Sequence, residues 1–153
     1  KAAKRADKSA NEGFIGSYVH FDGKTAVIVE LNCETDFVAN TEAFRALAKD
    51  LALHIASAAP LAVSSDQVDP AVVQREREIY LEQVRAEGKP DHIAGKIVEG
   101  KLQKFFKEFA LLAQPFVKDP DKTIEQLITD VSAKTGEKIE VARFARFKVG
   151  ERA

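Results

Sequence analysis

Apolar and polar positions near the start of the chain form two short β-prone runs. The first run, residues 13–21, holds five large apolar residues: Phe14, Ile15, Tyr18, Val19 and Phe21. The second run, residues 26–31, is rich in Val and Ile. Asp22 and Gly23 lie between the runs, and an Asp-Gly pair there favours a type I′ turn, since that turn needs positive φ at both central positions. The pattern predicts a β-hairpin.

After Asn40 the apolar spacing changes to steps of three and four residues, which predicts an amphipathic helix. Its apolar stripe consists of Phe44, Leu47, Ala48, Leu51, Ile55 and Ala58. Thr41 is a suitable N-cap, because its side-chain oxygen can accept a hydrogen bond from a free N–H of the first turn. Pro60 ends this helix, and residues 61–70 are expected to form a loop.

Two further helices are predicted over residues 71–87 and 91–109, because Gly88-Lys89-Pro90 between them is typical of one helix ending and another beginning. The second has a heptad-like seam, formed by Val98, Leu102, Phe105 and Phe109. Since each helix offers only a narrow apolar seam, we expect an antiparallel coiled-coil hairpin that projects from the body.

The last elements predicted are a helix over residues 121–135, with Gly136 as its C-cap, and a third strand over residues 139–149. The resulting fold class is α+β: a small antiparallel β-sheet packed with helices, plus the helical hairpin. In domain terms, residues 13–153 form the core and residues 71–109 are an insertion within it.

Composition limits the possible functions. The chain of 153 residues has a formal net charge of −1, so no global field attracts nucleic acid, and nucleic-acid binding is not expected. No apolar run reaches the roughly 18 residues of a membrane span. The sequence contains no Gly-rich phosphate-binding motif, so direct nucleotide binding is not expected either. It contains no Met and starts at Lys1; we expect residues 1–12, which are polar and basic, to be a linker that follows a missing N-terminal segment.

Cys33 is the only cysteine and therefore a candidate nucleophile. A catalytic thiolate needs a nearby base or cation, but His20, His54 and His92 fall on three different predicted elements. We interpret Cys33 as a small core residue at the end of a buried strand with Asn32. The His spacing matches no metal site, and no metal or other cofactor is expected. A cysteine-dependent enzyme remains an alternative that alkylation of Cys33 would reveal.

Phe37 is unusual, because it follows three polar residues in a segment expected to be a loop. Two interpretations are open. Phe37 could fold back onto the first turn of the next helix, or it could be an exposed aromatic anchor beside the Asp36 carboxylate, as in many binding hot spots.

The string NCETDFVAN, residues 32–40, resembles the signature of the translation elongation factor Ts family. Other stretches resemble that family in the same order: GSYVH, EGKP, KIVEGKLQKFFKE, QPFVKDP and TGEKIEVARF. The resemblance covers essentially the whole chain. Members of this family normally begin with a small helical domain that docks on the G domain of elongation factor Tu, and the first residues here match the linker after it.

The resemblance implies a cytoplasmic guanine nucleotide exchange factor for elongation factor Tu, with no covalent chemistry. The family's Thr-Asp-Phe-Val segment, here Thr35, Asp36, Phe37 and Val38, would be inserted near the partner's magnesium site to promote GDP release. His20 and Gly136 match further positions that contact the partner.

The chain has one copy of the core pattern and resembles the short type of the family, in which two chains associate. This implies a homodimer, with strands in residues 13–31 or 139–149 at the interface. An alternative from another class is a non-catalytic RNA- or ribosome-associated module that uses the basic N-terminus and the helical hairpin. Salt-dependent RNA binding without any effect on nucleotide release would favour that alternative.

Overall fold

The computed structural model describes residues 5 and 7–151, so the start of the predicted linker lies largely outside the described residues. The chain divides into two compact units. One contains the residues up to 59 and those from 115 onward, and the other contains residues 60–114. Each unit is described by itself below.

The first unit is built on a three-stranded antiparallel sheet in the order β1-β2-β5. Its strands are β1 (Glu12–Val19), β2 (Thr25–Cys33) and β5 (Glu140–Lys148). In the β1–β2 pair, Glu12 faces Cys33 and Val19 faces Ala26. The hairpin and the third strand that the sequence predicts are therefore confirmed, and the fold class is α+β.

The turn between β1 and β2 differs from the sequence prediction. Gly23 has φ of 71°, but Asp22 keeps a negative φ, so the predicted type I′ turn at Asp22-Gly23 is wrong. The connection is a five-residue loop in which the His20 carbonyl accepts a 2.8 Å hydrogen bond from the Gly23 N–H. The Asp22 carboxylate accepts another from the Lys24 N–H, at 2.9 Å. Longer hairpin loops are built in this way, around a turn whose central residues have negative φ.

One face of the sheet is covered by helix α2 (Glu42–Ala58). Thr41 caps this helix as predicted, accepting a 3.2 Å hydrogen bond from the Phe44 N–H. The strand β1 comes so close to α2 at Gly16 that an added Cβ would lie 2.4 Å from the Ala48 carbonyl oxygen. The buried residues of the sheet and of α2 form the core: Val27, Val29, Leu31, Cys33, Val141, Phe44, Leu47, Ala48, Leu51, Ala52 and Ile55.

The opposite face of the sheet, which we call the open face, is exposed. The strand register places four apolar residues there that are each more than half exposed: Ile15, Val19, Ile28 and Phe147. An ion pair crosses this face, with Arg143 Nε 2.9 Å from Glu30 Oε1. The hydrogen bond from Arg143 lowers the pKa of Glu30 below its usual value. Several large apolar side chains exposed on one face of a sheet are more common at interfaces than on other surfaces.

A short hairpin precedes the last helix and was not predicted. Strands β3 (Pro115–Phe116) and β4 (Asp119–Thr123) pair antiparallel, and helix α5 runs over Ile124–Thr135. The prediction that this helix begins at residue 121 is wrong, because residues 121–123 belong to β4. Thr123 and Gln126 form a capping box that fixes the helix start: each side chain accepts a hydrogen bond from the other's backbone N–H.

The second unit contains two antiparallel helices, α3 (Pro70–Ala86) and α4 (Asp91–Phe109). Both agree with the prediction to within one residue at each end. Their shared core consists of Val84, Ala94, Val98 and Leu102. An ion pair between Arg77 and Glu99 joins their exposed flanks. None of the helices in the described part of the chain is long and apolar enough to cross a membrane.

Candidate partner-binding site

The Thr35–Val38 segment begins a one-turn helix, α1 (Asp36–Ala39), rather than the expected loop. Thr35 is its N-cap, and the Thr35 Oγ1 accepts a 3.3 Å hydrogen bond from the Val38 N–H. Asp36 lies in the first turn, where its negative charge is favourable beside the free N–H groups of a helix start. The sequence therefore has an ordinary capping reason to turn helical here.

Helix α1 divides into a buried end and an exposed end. Val38 and Ala39 are 6% and 4% exposed, whereas the Phe37 side chain is 79% exposed. Asp36 beside it is exposed as well. The interpretation that Phe37 folds back onto the next helix is wrong. The structure exposes an aromatic residue and an acidic residue at consecutive positions of the chain.

The backbone before α1 is bound by Glu137, which lies 102 residues further along the chain. The Glu137 Oε1 accepts hydrogen bonds from the backbone N–H groups of Glu34 and Thr35, both at 3.1 Å. The Glu137 Oε2 accepts a third, at 2.7 Å, from the Thr35 hydroxyl. In return, the Glu34 Oε2 accepts a 2.6 Å hydrogen bond from the Lys138 N–H. Sequence reasoning missed both glutamates, because no local pattern connects residues so far apart.

Cys33 is fully buried at the end of β2, as expected for a core residue. Its thiol lies 3.1 Å from the Thr35 carbonyl oxygen and donates to it. Burial raises the pKa of the Cys33 thiol, and the Glu137 carboxylate nearby raises it further. Such a thiol stays protonated, which is unfavourable for a nucleophile. Asn32, expected to be buried with Cys33, is only half-buried, since it lies on the opposite face of the strand.

His20 lies at the other end of the β1–β2 hairpin. Its Nδ1 is 2.8 Å from the Tyr18 hydroxyl, and its ring is 4.4 Å from that of the exposed Phe21. The nine residues of β2 separate this hairpin end from Thr35, a distance of roughly 25 Å along an extended strand. The structure therefore does not bring His20 together with the Thr35–Val38 segment.

Gly136 lies next to the segment through its neighbour Glu137. It is exposed, with φ of 74°, and caps α5 by donating from its N–H to the Ser132 carbonyl at 2.9 Å. The C-cap role predicted for Gly136 is confirmed. Among the sequence-predicted site residues, Gly136 and Thr35 thus belong to one surface region.

The chemistry that this region can perform is recognition. An exposed aromatic ring beside a carboxylate, on a turn fixed by several hydrogen bonds, is typical of an anchor for a protein partner. Within residues 5 and 7–151, no group of three or more His, Cys, Asp or Glu side chains is arranged to hold a metal ion.

The comparisons with known proteins identify the family of this α+β chain. Residues 2–151 match the family model described as Elongation factor TS. Elongation factor Ts of Geotalea daltonii is 51% identical over 150 residues, which cover 98% of this chain and 69% of that protein. The counterpart from Oleidesulfovibrio alaskensis is 52% identical over 150 residues, covering 98% and 76%. That from Thermosipho melanesiensis is 50% identical over 151 residues, covering 99% and 77%. The chain belongs to the elongation factor Ts family.

Proposed function

We propose that this chain is a cytoplasmic guanine nucleotide exchange factor for elongation factor Tu, which releases GDP by inserting the Thr35–Val38 segment near the magnesium site of that GTPase. The observation that carries the proposal is the Phe37 side chain, 79% exposed on a helix whose other end is buried. Exposing a Phe costs free energy that burial would recover. A surface that retains one is therefore suited to a partner that buries it.

The exchange step follows from displacement rather than from covalent chemistry. A Phe ring inserted between packed side chains of the partner moves its backbone, and the Asp36 carboxylate adds negative charge close to a magnesium ion. Mg²⁺ requires near-ideal octahedral geometry, so small shifts of its ligands weaken its hold on the nucleotide phosphates. His20 and Gly136 supply further contacts to the partner in this proposal.

The effect on nucleotide affinity is reciprocal. If binding of this chain weakens GDP affinity by some factor, GDP weakens the affinity of this chain by the same factor. Release of GDP and the later dissociation of the chain by incoming nucleotide are then consequences of one coupling free energy.

A fluorescent GDP analogue bound to elongation factor Tu tests the proposal. Addition of this chain should raise the rate of analogue release, with saturation as its concentration increases. Excess GDP should displace the chain from Tu in a pull-down, as reciprocity requires. A release rate that does not change at saturating concentrations of the chain would contradict the proposed function.

We also propose that the chain acts as a homodimer that buries the open face of the sheet. This face carries Ile15, Ile28 and Phe147 together with both members of the Glu30–Arg143 ion pair. A two-fold interface must be complementary to itself, and a patch with apolar residues and charges of both signs meets that requirement. The residues lie within the two stretches that the sequence predicts for the interface.

Light scattering at micromolar concentrations tests the dimer. The wild-type chain should have twice the mass of one chain, and Ile28→Asp should reduce it to that of a monomer, because a carboxylate would be buried without a partner. A monomeric wild-type chain over this concentration range would rule the dimer out.

A further inference from the structure

Glu34 and Glu137 form a reciprocal link between two segments of the chain, which we call the glutamate clamp. Three hydrogen bonds run from residues 34 and 35 to the Glu137 carboxylate, and one runs from Lys138 back to the Glu34 carboxylate. All four have an ionised acceptor, and hydrogen bonds of this kind are about twice as strong as neutral ones.

The Glu137 side of the clamp is itself firmly anchored. The Glu137 carbonyl accepts a 2.6 Å hydrogen bond from the Ser132 hydroxyl, and its N–H donates to the Thr135 hydroxyl at 3.3 Å. Both residues belong to α5, and Gly136 between them and Glu137 has the left-handed conformation that ends this helix. The carboxylate therefore extends from a fixed point on α5 to the start of α1.

Helix α1 is too short to hold its orientation by itself. It has only four residues, and isolated helices shorter than about 12 residues are marginal in water. Its C-terminal half is held by burial of Val38 and Ala39, but Thr35, Asp36 and Phe37 are all exposed. The exposed half is held by the clamp together with the hydrogen bonds that Thr35 makes with Val38 and Cys33.

We propose that Glu137, with Glu34, is a positioning residue that holds Phe37 and Asp36 in the orientation needed for insertion into the partner. This inference rests on the proposed exchange function. The proposed role differs from direct contact with the partner, since Glu137 acts on Phe37 through the backbone of residues 34 and 35.

The first test needs no partner. The chain has no Trp, so Phe37→Trp places a single indole at the exposed site. Adding Glu137→Ala should increase the amplitude of the nanosecond loss of fluorescence anisotropy, because the turn loses three hydrogen bonds. Glu125→Ala, which removes the same charge from the exposed first turn of α5, is the matched control and should leave the decay unchanged. An unchanged decay in Glu137→Ala would overturn the clamp.

The second test measures GDP release from elongation factor Tu. Glu137→Ala should lower the maximal release rate by about tenfold, with little change in the half-saturating concentration, since misplacement of a reacting group acts on the displacement step. Glu137→Gln retains one acceptor oxygen for the backbone N–H groups and should recover part of the rate. Equal falls of the maximal release rate for Glu137→Ala and Glu125→Ala, or a change confined to the half-saturating concentration, would contradict positioning.

A double variant separates positioning from a general loss of structure. In a Phe37→Ala background, Glu137→Ala should not lower the maximal GDP release rate further, because there is no ring left to position. If Glu137→Ala lowered the release rate by the same factor in the wild-type chain and in Phe37→Ala, the proposal would be overturned. If the wild-type chain fails to stimulate release, the exchange function itself fails, whereas the anisotropy test still decides whether the clamp holds the turn.

Discussion

Helices α1 and α2 follow each other directly, and each begins with a threonine N-cap and an aromatic residue in its first turn. In α2 the cap is Thr41 and the aromatic is Phe44, which is fully buried. In α1 the cap is Thr35 and the aromatic is Phe37, which is 79% exposed. The same kinds of residue therefore have opposite environments within eight positions of the chain.

The difference arises from spacing relative to the cap. Phe44 is the third residue after Thr41, and the third residue after Thr35 is Val38, which is buried as well. Phe37 comes one position earlier, which rotates it by about 100° around the helix axis and away from the core. We conclude that Phe37 is exposed because it comes one position before the core-facing residue of its helical turn.

The largest expected effect is on the α2 side of this comparison. Phe44→Ala should lower the free energy of unfolding by about 3–5 kcal/mol, because it leaves a cavity in a fully buried site. Phe37→Ala should change it by less than about 0.5 kcal/mol, since little area is buried there. Urea unfolding followed by circular dichroism measures both. Similar losses for the two variants would contradict the environments assigned to the two rings.

A methyl group at Gly16 should have the next largest effect. Gly16→Ala would place a Cβ 2.4 Å from the Ala48 carbonyl oxygen of α2, which is backbone and can move only with the helix. Overpacking of this kind costs about 1–3 kcal/mol. The matched control is Gly100→Ala on α4, where nothing lies within 4 Å of the added Cβ. A fall in the urea midpoint for Gly100→Ala but not for Gly16→Ala would refute the close approach of β1 and α2.

The N-cap of α2 should contribute a smaller amount to the free energy of unfolding. Thr41→Ala removes the acceptor for the Phe44 N–H and should cost about 1 kcal/mol, whereas Thr41→Ser keeps a hydroxyl and should cost much less. Thermal unfolding of the two variants provides the measurement. If alanine and serine behaved alike, the Thr41 side chain would not be the cap.

The smallest effect expected is on the pH dependence of stability, through Cys33 at the end of β2. Its pKa is raised in the folded state, so the stability linked to its protonated form is fully present below the unfolded pKa. That stability is lost as pH rises through the folded pKa. The difference in unfolding free energy between wild type and Cys33→Ala should therefore shrink above about pH 9. A difference that stays constant or grows at higher pH would contradict a raised pKa of Cys33 in the folded state.

Much of the fold could be predicted from local patterns, because local physics decides it. The Phe44-to-Ala58 stripe, the Thr41 cap and the Gly88-Pro90 break each act within a few residues, and each element they predict is present. The missed hairpin β3–β4 is short and polar, so it offers no hydrophobic period to detect. The capping box of Thr123 and Gln126 was the available signal for the true start of α5.

The candidate site could be predicted only in part. The resemblance led to Thr35–Val38, but the exposure of Phe37 depends on its phase relative to a cap that the sequence analysis did not place at Thr35. Glu34 and Glu137 lie 103 positions apart, so their reciprocal hydrogen bonds become visible only when β2 and the end of α5 are packed together. The resemblance implies for His20 a further contact with the partner, and the strand β2 separates it from the Thr35–Val38 segment.

The most direct test of the central claim is the effect of Phe37→Ala on release of fluorescent GDP from elongation factor Tu. The matched control is Val117→Ala, which also removes an exposed apolar side chain from the same unit of the chain. We predict that Phe37→Ala lowers the maximal release rate by at least about tenfold, as loss of a central aromatic anchor does, with unchanged unfolding, and that Val117→Ala stimulates like wild type. Full stimulation by folded Phe37→Ala would contradict the account.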